Sequence, residues 1–361
     1  MKRHVLILII LCLLLILIGL FAIYSATISR LVSKNLSPYF FVKKQLFAFS
    51  IGLILSLILL SFPYRVFERL WFPLYIINLI LLILVILFGK VSLGAQRWFS
   101  IYGFSFQPSE LSKLFIILFL SGYFHRAKIN NNELIFKDFV ISSLLLLSSF
   151  LFVFIQPDLG TSIIIFLTGI FIFILAGIPK RYIIKSFMIA MIFLPFFWFL
   201  LKPYQQQRII TFLSPEKDPL GSGYQVIQGL IAIGSGRLFG KGWLNGSQTH
   251  LNFIPEQHTD FIFTVIAEEF GFVGGLILIA LYYLLFYFSW KIYSTIKDEY
   301  GKLITGGILF NWLIQTFINL AMVLGLIPVV GVPLPFISYA RTSLIINIIM
   351  LEFLINISLR N

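Results

Sequence analysis

Charge is what this sequence has least of. Asp, Glu, Lys and Arg make up 11% of it and hydrophobic residues 59%, whereas soluble domains carry about 25% charged residues. Such a chain cannot cover a water-facing surface, so it reads as an integral membrane protein of several spans. Acidic residues are the scarcer sign, 14 against 27 Lys and Arg, for a formal net charge of +13. In a soluble protein that excess would suggest nucleic acid. Here the cations are spread over short loops with no basic domain, which points to membrane lipids or an anionic lipid-linked substrate, and to no nucleic acid. The single cysteine, Cys12, lies inside the first apolar run. An intrachain disulfide, and any metal or redox site built on several cysteines, are excluded. No short-period repeat and no low-complexity tail is present.

What is there is a succession of apolar runs. A basic start, Met1-Lys2-Arg3-His4, precedes a run over 5 to about 26. It is long enough to span and lacks a small-x-small cleavage site, so it reads as a retained first helix. Further runs at about 46–62, 71–88, 110–124, 139–155, 161–178, 183–201, 261–290, 304–327 and 343–359 bring the expectation to ten transmembrane helices. The expected fold class is an all-α polytopic membrane protein. One integral membrane domain covers 1–361, with one large extracytoplasmic loop, 202–259, between spans seven and eight. That loop is rich in Gly, Pro, Ser and Gln. It should be part irregular and part short helices on the membrane surface, one of them at 225–233. Lys and Arg placement puts both termini in the cytoplasm, with Lys2, Arg3, Arg65, Arg69, Arg126, Lys128, Lys180 and Arg181 among the inner cations. Arg30, Lys34, Lys43 and Lys44 in the first outer loop run against that rule.

Polar residues inside the spans are the candidates for function. Asp260 sits where the large loop becomes a new apolar run. On a helix, Asp260, Thr264 and Glu268 would form one stripe at i, i+4 and i+8, able to face a cavity rather than lipid. A carboxylate at the mouth of that stripe is a candidate general base, and equally a candidate helix cap. Glu110 and Lys113 share a helix face, either as a self-neutralising pair or as substrate contacts. Asp158 suits a cap of the sixth span. Asn311, Gln315 and Asn319 recur every four residues, a pattern that favours structural bonds between helices. The outward cations Lys43, Lys44, Arg97, Lys113, Arg208 and Arg341, gathered near carboxylates, suit a phosphate or diphosphate.

Six motifs occur in order along the chain: Gly94-Ala95-Gln96-Arg97-Trp98, Gln107-Pro108-Ser109-Glu110, 156–162 (Gln-Pro-Asp-Leu-Gly-Thr-Ser), 218–225 (Asp-Pro-Leu-Gly-Ser-Gly-Tyr-Gln), 255–261 (Pro-Glu-Gln-His-Thr-Asp-Phe) and 331–339 (Gly-Val-Pro-Leu-Pro-Phe-Ile-Ser-Tyr). In these the chain resembles the SEDS family (shape, elongation, division and sporulation), and the Asp-Pro-Leu-Gly motif resembles its rod-shape branch, RodA. The resemblance implies a peptidoglycan glycosyltransferase that polymerises lipid II at the outer face of the bacterial inner membrane, beside a class B penicillin-binding protein. It implies that Asp260 is the essential outer-loop aspartate. Glu110 and Lys113 match the family's polar pair, and Arg97 and Arg208 its outer-side arginines. With Asp158, Lys44, His258 and Ser338 they form the expected substrate-binding set. A divalent cation, Mg or Mn, is a further candidate to help the diphosphate leave, and no organic cofactor is expected. Where the family has Gly-Gly-Ser-Ser after Ser-Tyr, this chain has Ala340-Arg341-Thr342-Ser343. Arg341 then either helps bind substrate or obstructs the last outer turn, and the lost glycines and added bulk favour obstruction. A lipid-precursor flippase and a non-catalytic scaffold for the transpeptidase are the rival readings.

Overall fold

The structure is a computed structural model that describes residues 2–92, 95–101, 104–131, 134–201, 203–214, 222–251 and 253–360. Gly94 and the Asp218-Pro219-Leu220-Gly221 part of the fourth motif lie outside the described residues. In chain order the elements are α1 (Lys2–Ser33), α2 (Phe40–Leu60), the single turn α3 (Val66–Arg69) and α4 (Trp71–Phe88). Strands β1 (Lys90–Ser92), β2 (Ala95–Ile101) and β3 (Phe104–Phe106) follow, then α5 (Pro108–Asn131), α6 (Phe136–Ile155), α7 (Leu159–Ala176) and α8 (Lys180–Leu200). The large loop holds α9 (Pro203–Leu213), α10 (Ser222–Ser235) and α11 (Ser247–His250), and α12 (Ile262–Thr295), α13 (Glu299–Val323) and α14 (Arg341–Arg360) complete the chain.

The fold is mainly helical, as expected, and each apolar run coincides with a long helix. Among the described residues, eight helices are long and apolar enough to cross a membrane. The other two long ones are α5, whose apolar character is diluted by Glu110, Lys113, His125, Arg126 and Lys128, and α8. Between α4 and α5 lies a small antiparallel sheet, β1-β2-β3, an addition to the helical fold. It carries Arg97 on β2. The helix at 225–233 is present as the core of α10. It packs against α12.

The centre of the bundle is α13 and α14, whose most apolar windows are 72% and 83% buried. Around them α14 lies along α2, α5 lies against α4 and α7, and α1 lies along α12. Helix α12 is broken at Gly271, whose φ of 67° and ψ of −162° are open in practice only to glycine. The break is closed by the large loop. Lys241 N and Gly242 N donate to the carbonyls of Glu268 and Glu269, at 3.0 and 2.9 Å. Phe272 N and Val273 N donate to the carbonyls of Arg237 and Leu238, at 2.8 and 3.1 Å. A membrane helix can be interrupted only where protein re-satisfies the freed groups. From Phe272 to Thr295 the helix is long enough by itself to cross a hydrocarbon core of about 30 Å. The turns from Ile262 to Phe270 are therefore not needed for the crossing and pack with the large loop.

Candidate active site

Between α13 and α14 the chain crosses the protein without regular structure, and Val329, Val332, Leu334, Phe336, Ile337 and Ser338 are buried. Main-chain groups of this segment are met by side chains. Arg208 Nη1 donates to Val329 O at 3.0 Å, Asn319 Nδ2 to Val332 O at 2.7 Å and Gln315 Nε2 to Pro333 O at 2.9 Å. Tyr282 Oη donates to Pro335 O at 2.5 Å, and Gln45 Nε2 to Ser338 O at 3.0 Å. Leu334 N donates to Ser338 Oγ at 2.8 Å, so the Ser338 hydroxyl is committed to holding its own turn. The polar residues of Asn311, Gln315 and Asn319 do act structurally, but only Asn311, against Met350 Sδ at 3.7 Å, bonds another long helix alone. Gln315 and Asn319 mainly hold the irregular segment.

Asp260 lies against this segment. Its carboxylate Oδ2 would stand 3.3 Å from a Cβ at Gly331, where φ is +71°. Glycine is thus needed there both for the backbone and for the space the carboxylate occupies. Asp260 is partly buried, and among the described residues no donor bonds its carboxylate. Its main-chain oxygen is held by Asn319 Nδ2 at 2.9 Å. Burial pushes the Asp260 carboxyl up to about 6, with the Arg208 charge opposing the rise, Glu256 adding to it and Arg97 opposing it. Helix α12 begins at Ile262 with Phe261 as its cap residue and no side-chain cap bond. Asp260 therefore does not cap it.

The stripe read from the sequence is corrected at the same point. Asp260 precedes the helix, so it cannot continue into Thr264 and Glu268. Thr264 Oγ1 turns back to Phe261 O at 2.7 Å. Glu268 is fully buried and accepts from Lys241 Nζ at 2.7 Å, from Gln248 N and Thr249 N, both at 2.9 Å, and from Thr249 Oγ1 at 2.7 Å. It clasps the outer loop and does not line a cavity with Asp260.

Asp158 is the cap expected of α7, accepting from Thr161 N at 3.4 Å, and it is more than that. Its Oδ2 accepts from Gln107 Nε2 at 2.8 Å and Ser109 Oγ at 2.9 Å. Its Oδ1 lies 3.7 Å from Arg97 Nη1. Arg97 also donates to Gln156 O at 3.1 Å and to Pro157 O. The guanidinium is thereby fixed near Asp260, on which both Arg97 and Asp158 act electrostatically.

The remaining expected residues fall into two further groups. Lys113 is 2% exposed and lies 2.7 Å from Glu110 Oε2 and 2.9 Å from Gln315 Oε1. By accepting from Lys113, the Gln315 amide presents its nitrogen to Pro333. His258 packs its ring against Phe41 and Tyr339, with centroids 4.6 and 5.3 Å away. Burial lowers its imidazole to about 4, so it is neutral at pH 7. Lys44 places its ammonium 4.0 Å from the Phe40 ring and feels the charge of Arg341, the first residue of α14. Neither Ala340 nor Arg341 takes a positive φ; in this segment those angles fall on Gly331 and Phe336. The backbone at Ala340 and Arg341 therefore does not require glycine.

The buried Glu110–Lys113 pair gives a first prediction. Lys113→Met leaves a buried carboxylate uncompensated and should destabilise the protein by about 3–5 kcal/mol, whereas Glu110→Gln with Lys113→Met should recover most of that. Melting curves in detergent read both. A single variant as stable as the parent would contradict the pairing.

The chain matches the cell cycle protein family of FtsW, RodA and SpoVE over residues 5–361. It is 43% identical over 307 residues to the peptidoglycan glycosyltransferase MrdB of Escherichia coli K12, covering 84% of this chain and 82% of that one. It is 36% identical over 356 residues to the stage V sporulation protein E of Bacillus subtilis, covering 98% and 96%. Its structure resembles a chain of a peptidoglycan synthase complex that coordinates polymerization and crosslinking, with a TM-score of 0.81, 31% identity and coverage of 98% and 97%. It also resembles the rod shape determining protein RodA of Thermus thermophilus, with a TM-score of 0.71, 25% identity and coverage of 97% and 95%. The chain belongs to the FtsW, RodA and SpoVE family.

Proposed function

We propose that this chain polymerises lipid II into glycan strands at the outer face of the bacterial inner membrane, with Asp260 as the general base. The observation that carries the reading is a partly buried carboxylate with no donor among the described residues, raised to about 6 and faced by the charges of Arg208 and Arg97. Membership of the family, and relatives that are peptidoglycan glycosyltransferases, support the activity. The likeness to a peptidoglycan synthase complex supports a class B penicillin-binding protein as partner.

In the reaction, the sugar 4-hydroxyl of one lipid-linked unit attacks the anomeric carbon of another. Its proton passes to Asp260, the new glycosidic bond forms with inversion, and the bond to the diphosphate breaks. An inverting glycoside hydrolase needs an acid to protonate a poor leaving group. A diphosphate departs as an anion, so one base and nearby cations suffice. Arg208 and Arg97 supply the cations. Lys113, enclosed by Glu110 and Gln315, acts on the site through the segment it holds. Among the described residues no group of three or more His, Cys, Asp or Glu is placed to hold a metal. A divalent cation, Mg or Mn, would take most of its ligands from the diphosphate and water.

Asp260→Asn keeps the size of the side chain and removes the basic oxygen. A general base contributes roughly 10²–10⁴-fold, so the variant should lose strand synthesis from lipid II by at least about 10² while still co-purifying with its partner. Near-normal synthesis would sink the assignment, and flipping without synthesis would favour the transporter reading. EDTA in a parallel reaction reads the metal.

The pH profile is a separate test. The base works when deprotonated, so kcat should rise through about pH 6 and level above it. Arg208 opposes the elevation, so Arg208→Gln should move that limb to higher pH. A limb that stays in place or moves down would show that Arg208 does not act on Asp260.

The proposed orientation places both termini inside and 202–259 outside, as the Lys and Arg bias and an even number of spans support. Ser247 is exposed on α11. With Cys12→Ser, Ser247→Cys should react with an impermeant thiol reagent in intact cells whose outer barrier is opened. Labelling only after lysis would reverse the orientation.

A further inference from the structure

Asn319 is wholly buried, and its side-chain nitrogen serves two separate segments. It donates to Asp260 O at 2.9 Å and to Val332 O at 2.7 Å. An amide nitrogen has two hydrogens, so both are used. The orientation is unambiguous, because a flipped amide would set its oxygen against two carbonyl oxygens. Its Oδ1 is buried without a partner, a cost that persists only if the nitrogen's bonds offset it.

The two segments joined are the ones that define where the Asp260 carboxylate lies. One is the main chain of Asp260 itself. The other is the turn at Gly331 and Val332, whose bare Cα faces Asp260 Oδ2. Nothing else anchors Asp260 comparably. Its carboxylate has no donor among the described residues, and it stands one residue outside the cap of α12. Gln315, one helical turn away, holds the next carbonyl of the same segment, Pro333 O, at 2.9 Å. Helix α13 thus meets the irregular segment with two consecutive amides, and only the second reaches Asp260.

We propose that Asn319 is the positioning residue of the base: it locks the Asp260 main chain to the Gly331–Val332 turn and so sets the reach of the carboxylate toward the substrate hydroxyl. It does not touch substrate, and its effect passes through Asp260. The proposal rests on the assignment of Asp260 as base. A misplacement of about 1 Å in a reacting group costs on the order of 10²-fold, which sets the scale expected for its loss.

The test uses the full chain with its transpeptidase partner and lipid II, in four forms: wild type, Asn319→Ala, Asp260→Asn and the double variant. Asn319→Ala should lower kcat by roughly 10–100-fold and leave KM within about threefold, since substrate contacts are intact. The acid limb of its pH profile should move down, as a loosened carboxylate gains water. In the Asp260→Asn background the same change should have little further effect. Asn311→Ala, on the same face of α13 but bonded to Met350, should keep kcat within about twofold. Should Asn319→Ala not fold, Asn319→Ser, which keeps one donor, is read in its place and should fall between wild type and Asp260→Asn. A folded Asn319 variant with wild-type kcat and pH limb overturns the proposal. So does a loss that is equally large in the Asp260→Asn background. An active Asp260→Asn protein would instead overturn the assignment of the base, and the two failures are distinguishable in one experiment.

Discussion

Lipid offers no hydrogen bonds, and irregular backbone can exist among membrane helices only where protein satisfies it. The segment from Val329 to Tyr339 is such a backbone, and the site is organised by how it is satisfied. Arg208, Asn319, Gln315, Tyr282 and Gln45 each reach one of its carbonyls. Most of them come from different elements, so the segment ties α2, α9, α12 and α13 together. The buried pair Glu110 and Lys113 enters the same arrangement through Gln315. The break in α12 at Gly271 follows the same rule, with loop backbone in place of side chains.

Against that background Asp260 is the exception. Its surroundings are bonded, its main-chain oxygen is bonded, and its carboxylate has no donor among the described residues. Burial raises its affinity for a proton into the range where a carboxylate can work as a base near neutral pH. Arg208 and Arg97 keep the rise moderate. The same two cations suit a departing diphosphate, so in the proposed reaction one arrangement would both tune the base and receive the leaving group.

The helices were legible in the sequence because long apolar runs have little other meaning, and the six motifs were legible as a resemblance. Asp260, Arg97, Arg208 and Asp158 were named from sequence, and the structure brings these four together. Other features were not legible, for physical reasons. The seam before α12 could be read as helix because Asp260, Thr264 and Glu268 have helical spacing. The turn there begins two residues later, and Glu268 is drawn to the amides of Gln248 and Thr249. The recurrence of Gln315 and Asn319 marked them as structural, but spacing along one helix cannot say that their partners are carbonyls of a distant turn. The charge of Lys113 was visible in the sequence, and its enclosure by Glu110 and Gln315 was not. Two glycines missing from the family's pattern suggested special backbone geometry at Ala340 and Arg341, and only the structure could show that their φ angles are not positive.

The claim on which the rest depends is that Asp260 is an isolated carboxylate with a raised affinity for protons. Infrared difference spectra between the wild-type protein and Asp260→Asn, recorded across pH, read that carboxyl directly. A protonated-carboxyl band present only in wild type and titrating near 6 is the result expected. A group that titrates in the ordinary carboxylate range near 4, or that is ionised throughout, would contradict the account.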